Sequence, residues 1–324
     1  MSAPEPEHEG VPDTGPQRHP RFYFADGTAI FKLTSEKHPH GILYRLHPCI
    51  LGLRSNVFAT MFALPRDKDT PEQILTEGKH DDNPIELSIY PAEFDNILTF
   101  MYAGASEYPD SPEFLASVLK VSAFLDIADG VKFATTRLAA LGDQLPAPLQ
   151  LELGRSLRIH SWLETGFRRL VWSNILDLDS THMSQIGIDV YVLLTRTQAK
   201  MLRLRTKVAF GVPPAVNAPE CNTPGTCGYA WSCEWKECVR LLIHHPETPV
   251  PLADILLQLR NAHITDLCDK CLDLTVTWIY GKCLLTKEER LVDAAAEALV
   301  GMYPVEPMRA ALISLAAVGV TLSG

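Results

Sequence analysis

A strand that runs directly into an amphipathic helix is the clearest pattern in this chain, and it lies between Ile42 and Phe62. Ile42, Tyr44 and Leu46 occupy alternate positions, as on one face of a strand. Pro48 can open a helix, because proline lacks only an N–H group that the first turn leaves unpaired. Beyond it, apolar residues recur at helical spacing: Ile50, Leu53, Val57, Phe58, Met61 and Phe62. The stretch therefore predicts an extended strand followed by a helix with one buried face.

More strands and helices are predicted on either side of this stretch. Residues 28–33 have the composition of a buried strand, and a turn over 35–41 would pair them with residues 42–47 as an antiparallel hairpin. Residues 85–89 alternate as in a half-buried strand. Helices are predicted to begin at Pro91 and Pro112. From Pro146 onward the apolar spacing is helical, including a capping box at Thr286 and Glu289 before the last helix.

The same stretch carries a recognisable motif. Arg45, Leu46 and His47 precede the helix, Ser55, Phe58, Met61 and Phe62 follow in it, and a later helix ends in the run 100–104, FMYAG. In this order the motif resembles the BTB/POZ family over about residues 22–141. The resemblance implies an α+β fold, with a BTB/POZ core of a small sheet and surrounding helices, followed by an all-helical C-terminal region.

The BTB/POZ resemblance also implies a function. It suggests a non-catalytic protein–protein interaction module that homodimerises through its first strand and central helices. Such a module would act as a scaffold or adaptor for a ubiquitin-ligase or transcriptional regulatory partner. A second hypothesis is a zinc-stabilised helical scaffold that recognises its partner with its C-terminal half.

A length of 324 residues predicts about two structural units. The Pro-rich, acidic residues 1–20 are predicted to be a disordered tail, and 21–142 to form the BTB/POZ domain. Residues 143–210 are predicted as a helical extension, and through Trp162, Leu170, Gly187 and Arg196 they resemble the BACK region. Residues 211–230, rich in Pro and Gly, are predicted as a linker, and 231–324 as a C-terminal helical region.

Composition excludes several classes of partner. The net charge is −10 and the pI about 5.6, whereas a nucleic-acid surface needs clustered Lys and Arg, so we expect no nucleic-acid partner. The first twenty residues contain no apolar run of a signal peptide. The apolar residues 310–322 are predicted as a packed terminal helix, too short for the about 20 residues that span a bilayer. We expect a cytoplasmic or nuclear protein with protein partners and with no membrane or small-molecule substrate.

The eight cysteines are expected to be reduced thiols or metal ligands, because no secretory signal is seen. Cys221 and Cys227 lie in the turn-rich stretch, and Cys268 and Cys271 have the two-residue spacing of a zinc-ligand pair. The four would form a Cys₄ structural zinc site, pinning the loop after Gly211 onto the later helix. The alternative is that these residues are ordinary buried thiols.

One short motif points to catalysis. Asp177, Asp179 and Thr181 resemble the Asp-x-Asp-x-Thr motif of the haloacid dehalogenase phosphatases, in which the first Asp is the nucleophile. That chemistry requires the motif at the end of a central parallel strand. The alternative is a helix cap, in which Asp and Ser accept backbone N–H bonds. No phosphate-binding glycine loop or hydrolase motif accompanies it, so we expect no enzyme.

Overall fold

The computed structural model describes residues 15–64, 76–104, 108–109, 111–245 and 250–304. The predicted terminal helix 310–322 and residues 1–14 of the predicted tail lie outside these ranges. The chain divides into two compact units, of which the first ends at Pro146 and the second begins at Ala147. The fold is mixed, with a small sheet in the first unit and many helices.

The first unit contains a four-stranded sheet. Its strands are β1 (Gln17–Tyr23), β2 (Ala29–Ser35), β3 (His38–Leu46) and β4 (Ile85–Glu86). They lie in the order β1-β3-β2-β4. Strands β2 and β3 are antiparallel, whereas β1 runs parallel to β3 and β4 runs parallel to β2.

The predicted hairpin is present, with a shorter turn than the sequence indicated. Ala29 pairs with Leu46 and Ser35 pairs with His38, so the turn consists of Glu36 and Lys37 and not of residues 35–41. The strand predicted over 85–89 is also shorter, since β4 ends at Glu86. The Leu87 N–H still donates to the Lys32 carbonyl, so the chain leaves the sheet gradually.

Strand β1 corrects the predicted disordered tail at residues 17–20, because Gln17–Tyr23 is a strand at the edge of the sheet. Side chains far away in sequence hold it there. Tyr23 Oη donates to Asp81 Oδ1 at 2.6 Å, and Arg18 Nη2 lies 2.7 Å from Asp81 Oδ2. His19 Nε2 lies 3.3 Å from Asp95 Oδ1. None of these contacts is visible in the local sequence.

The helices of the first unit pack around this sheet. They are α1 (Pro48–Arg54), α2 (Asn56–Ala63), α3 (Pro91–Tyr102), α4 (Pro112–Leu125) and α5 (Ala128–Leu141), followed by a 3₁₀ turn (Gly142–Gln144). The helix predicted after Pro48 is therefore two helices. Ser55 separates them: its backbone is extended, its Oγ accepts the Phe58 N–H and it donates to the Leu125 carbonyl at 2.6 Å.

The second unit consists of helices and connecting loops, with no strand among its described residues. Its helices are α6 (Ala147–Leu157), α7 (His160–Val171), α8 (Ser180–Ile186), α9 (Ile188–Phe210), α10 (Pro224–Glu234), α11 (Arg240–Ile243), α12 (Leu252–Arg260), α13 (Asp269–Gly281) and α14 (Lys287–Met302). A 3₁₀ turn (Ile175–Asp177) precedes α8, and a π-helical turn (Trp235–Val239) joins α10 to α11. Helix α10 begins inside the predicted linker 211–230.

Two apolar clusters form the interior of the second unit. The first joins α7, α9 and the last helix, α14, and includes Phe167, Leu194 and Leu299. The second is built from residues 208–285, with Trp231 and Trp235 at its centre. The last helix therefore packs with the helices that follow Pro146, across the predicted boundary between 143–210 and 231–324. No helix among the described residues is both long and apolar enough to cross a membrane.

Candidate metal centre

Cys268 and Cys271 lie at the beginning of helix α13. Cys268 is the N-cap residue, and Cys271 is in the first turn. A helix N-terminus carries a partial positive charge, which favours the thiolate form of a nearby cysteine. Cys268 is exposed, whereas Cys271 is buried. The two-residue spacing that the sequence singled out therefore places two sulfurs on the end of one helix.

Cys221 and Cys227 bracket the beginning of helix α10. Cys221 lies in the loop before it, and Cys227 is in its first turn, where its N–H donates to the Thr223 carbonyl. The two sulfurs are 3.6 Å apart. Helix α10 begins at Pro224, where the ring fixes a helical φ and no first-turn N–H is lost. This second pair is thus also fixed by a helix start.

The fold brings the two pairs together. Cys268 Sγ lies 4.0 Å from Cys221 Sγ, and all four sulfurs lie within 4.8 Å of one another. Tetrahedral zinc, with bonds of about 2.3 Å to sulfur, needs its sulfurs about 4 Å apart. The longest separation therefore exceeds the zinc geometry by less than about 1 Å, a distance that a side-chain rotation covers. The predicted convergence of Cys221, Cys227, Cys268 and Cys271 is confirmed.

Backbone groups orient the sulfurs. The Ala218 N–H donates to Cys271 Sγ at 3.1 Å, so the loop before α10 contacts the sulfur of α13 directly. A hydrogen bond from the Cys268 backbone lowers the pKa of the Cys227 thiol. Burial raises the pKa of the Cys271 thiol to about 12. Neutral Cys271 is therefore the favoured form unless a cation replaces its proton.

The other cysteines lie apart from this cluster. Cys49 and Cys238 are exposed, and Cys233 and Cys283 are half-buried. Among the four clustered cysteines only Cys227 and Cys271 are buried. The alternative of four buried thiols therefore does not describe Cys268, whose sulfur faces the cluster while the residue remains exposed.

The phosphatase motif lacks the setting that its chemistry requires. Asp177 ends an exposed 3₁₀ turn, and the described residues of the second unit contain no strand to carry it. Asp179 is the N-cap of α8, where its Oδ1 accepts the His182 N–H at 2.9 Å. That bond lowers the pKa of Asp179. The helix-cap interpretation is thus correct for Asp179, and nothing in this geometry supports a nucleophile.

His47, at the junction of β3 and α1, makes contacts that stabilise the fold. Its N–H donates to Tyr102 Oη at 3.1 Å, and its Nε2 lies 3.2 Å from Asp26 Oδ1. The Phe24 ring packs 5.0 Å from the imidazole, centre to centre. These contacts tie the junction between β3 and α1 to the end of α3. His47 therefore has partners that account for it without catalysis.

Sequence reasoning missed the groups around the sulfurs. Two backbone N–H groups of the loop before α10 donate to side chains of α13. The Ala218 N–H donates to Cys271 Sγ, and the Val216 N–H donates to Thr275 Oγ1 at 2.9 Å. Thr275 follows Cys271 by one helical turn, a spacing that could have suggested a shared face. Nothing in the local sequence around Val216 and Ala218 indicates that their N–H groups bond to α13.

No protein-family model matches the chain, and no curated protein matches its sequence.

Proposed function

We propose that this chain is a non-catalytic protein-interaction module of BTB/POZ type, acting as a homodimeric scaffold or adaptor. The observation that carries the proposal is the surface of helices α1 and α2. Leu53 of α1 and Val57 of α2 are 87% and 42% exposed, although both belong to the apolar pattern around the family motif, and Leu64, which caps α2, is 61% exposed. Exposed apolar side chains on two consecutive helices favour association with another protein.

The test is the mass of the full chain in solution. We expect sedimentation analysis at tens of micromolar to give a dimer, and Leu53→Glu to give a monomer, because a carboxylate at the interface would lose its water. Leu176→Glu is the matched control, since Leu176 is 85% exposed on a turn of the second unit. A monomeric wild type, or a dimer that survives Leu53→Glu, would contradict dimerisation through α1.

The metal centre favours a second role, that of a zinc-stabilised helical scaffold. In this proposal Cys221, Cys227, Cys268 and Cys271 hold one structural zinc that fastens the loop before α10 to the start of α13. With zinc bound, all four sulfurs would act as thiolate donors, and a site with four protein ligands leaves no open position for catalysis. Binding of the metal would add to the folding free energy of the second unit.

Metal analysis of the full chain, purified without chelators, tests this role. We expect about one zinc per chain, with four thiolate ligands in X-ray absorption. Cys271→Ser should lose the zinc and lower the unfolding midpoint reported by tryptophan fluorescence. Cys283→Ser is the control, because Cys283 lies outside the cluster. Wild-type protein without zinc, or equal zinc in both variants, would overturn the metal site.

A further inference from the structure

Helix α9 carries four cations on one narrow face. Arg196, Lys200, Arg203 and Lys207 follow one another at steps of four, three and four residues, so they lie in one row along the helix. At 1.5 Å per residue the row is about 16 Å long. All four residues are exposed. We call this row the basic row of α9.

The basic row has no acidic counterpart within the described residues. None of the four side chains has an ion-pair or hydrogen-bond partner there. The acid nearest in sequence, Asp189, lies in the first turn of α9, seven residues before Arg196. Arg205, by contrast, points inward to Glu288 and is buried. The helix thus separates a paired, buried cation from four unpaired, exposed ones.

A large apolar side chain continues the row at its C-terminal end. Phe210 follows Lys207 by three residues, on the same side of the helix, and is 69% exposed. Arg240 of α11 lies over the Phe210 ring, with its guanidinium carbon 5.6 Å from the ring centre, which adds another cation beside the end of the row. The exposed surface therefore combines positive charge with apolar contact area, as protein-binding surfaces do.

We propose that this face of α9 binds an acidic, amphipathic segment of a partner protein. Carboxylates at helical spacing would meet the cations, and an apolar residue beside them would cover Phe210. A peptide suits the surface better than nucleic acid, because residues 147–324 without the four cations of the row have 13 basic and 18 acidic side chains, a net charge of −5. That charge repels a polyanion extending beyond the row, whereas a short acidic segment places its charge only where the cations are.

Fluorescence anisotropy with the full chain tests the proposal. The probe is a fluorescein-labelled helical peptide of four Glu-Glu-Leu-Ala repeats, and the comparison probe is an oligothymidylate of equal charge. We expect the peptide to bind, and to bind more tightly than the oligonucleotide. Its affinity should fall as the salt concentration rises, because salt shortens the screening length. The variant R196E/K200E/R203E/K207E should bind it at least about tenfold more weakly, and Phe210→Ala should weaken it as well.

The control variant changes the net charge equally but scatters the changes. K37E/K79E/K132E/K287E reverses four exposed lysines on four separate segments, and we expect a loss below about threefold. Circular dichroism melts check that both variants remain folded. Equal losses in the two variants, tighter binding of the oligothymidylate, or no binding of the peptide to the wild type would each overturn the proposal.

Discussion

Phe58 is a fully packed side chain at the centre of the first unit. It is 1% exposed, and its ring lies 5.6 Å from that of Phe31 in β2 and 6.1 Å from that of Phe62. Phe58→Ala should lower the free energy of unfolding by about 3 to 5 kcal/mol, because the ring's contacts are lost and a cavity remains. Urea unfolding followed by circular dichroism measures the change.

Phe124 gives a matched control for this prediction. It lies in α4 but is 59% exposed, so Phe124→Ala should change the unfolding free energy by less than about 0.5 kcal/mol. If Phe58→Ala unfolds within about a degree of the wild-type melting temperature, the packing described around β2 and α2 is wrong.

Arg205 and Glu288 form a buried ion pair in the second unit. Glu288 is fully buried, its Oε2 also accepts the Leu252 N–H, and Arg205 donates to the Ile243 and Val250 carbonyls. Glu288→Gln should cost about 3 to 5 kcal/mol, because it leaves a buried guanidinium without its counter-charge. All five tryptophans lie in residues 162–278, so tryptophan fluorescence during urea unfolding follows this unit.

Asp293→Asn provides the comparison for Glu288→Gln. Asp293 pairs with Arg168 at 2.7 Å, but both side chains are well exposed, so the loss should stay below about 1 kcal/mol. Equal effects of the two variants would mean that burial does not govern the strength of these pairs.

The sequence identified the four clustered cysteines but not this buried pair. Cysteines are scarce and their spacing at Cys268 and Cys271 is specific, so they can be selected without a fold. Glu288 stands in the first turn of α14, where acids usually interact with the exposed helix end. The predicted capping box at Thr286 and Glu289 is wrong, since Thr286 makes no side-chain cap bond. The fold directs Glu288 inward instead.

At the scale of elements, β1 depends on a charged anchor. Burial raises the pKa of Asp81, but hydrogen bonds from Tyr23 and Arg18 outweigh that effect and hold it below its usual value. A lowered folded-state pKa means that the stabilisation is present above the unfolded pKa, about 3.9, and is lost as the pH falls through the folded value. Beta strand β1 is therefore expected to loosen in acid.

Asp81→Asn tests this anchor. At pH 7 we expect the variant to melt a few degrees below the wild type, which corresponds to a loss of roughly 1 kcal/mol in the free energy of unfolding. The difference between variant and wild type should shrink as the pH falls below about 3.9, because the unfolded wild type then binds a proton at Asp81 more readily than the folded protein does. Asp82→Asn is the neighbouring control, and a difference that stays constant with pH would rule out the carboxylate as the cause.

Elements defined by local periodicity were predictable, and those defined by distant contacts were not. The β2–β3 hairpin and the helices after Pro91 and Pro112 follow from alternation, helical spacing and proline positions. Strand β1 was not predictable in this way, because its sequence, QRHPRFY, is mostly polar. Contacts with Asp81 and Asp95 hold it in the sheet. The break at Ser55 likewise depends on the Leu125 carbonyl, seventy residues away.

At the scale of the whole molecule, charge is distributed unevenly along the chain. Residues 1–146 contain 12 basic and 21 acidic side chains, a net charge of −9, whereas residues 147–324 are close to neutral with 17 and 18. The basic row of α9 thus belongs to the part of the chain with the weaker negative charge. Overall composition alone concealed this difference, which is why the sequence predicted no positively charged surface.

The position of α14 in the first apolar cluster of the second unit has a consequence for synthesis on the ribosome. His160 Nε2 lies 2.8 Å from the Tyr303 carbonyl oxygen, and Arg168 and Arg205 pair with Asp293 and Glu288. These contacts join residues 83 to 143 positions apart. Helices α7 and α9 are synthesised long before α14, and the apolar faces that α14 covers stay exposed until it has been made. During that interval the nascent chain exposes surface that chaperones bind, and each slowing of translation before Lys287 prolongs the exposure.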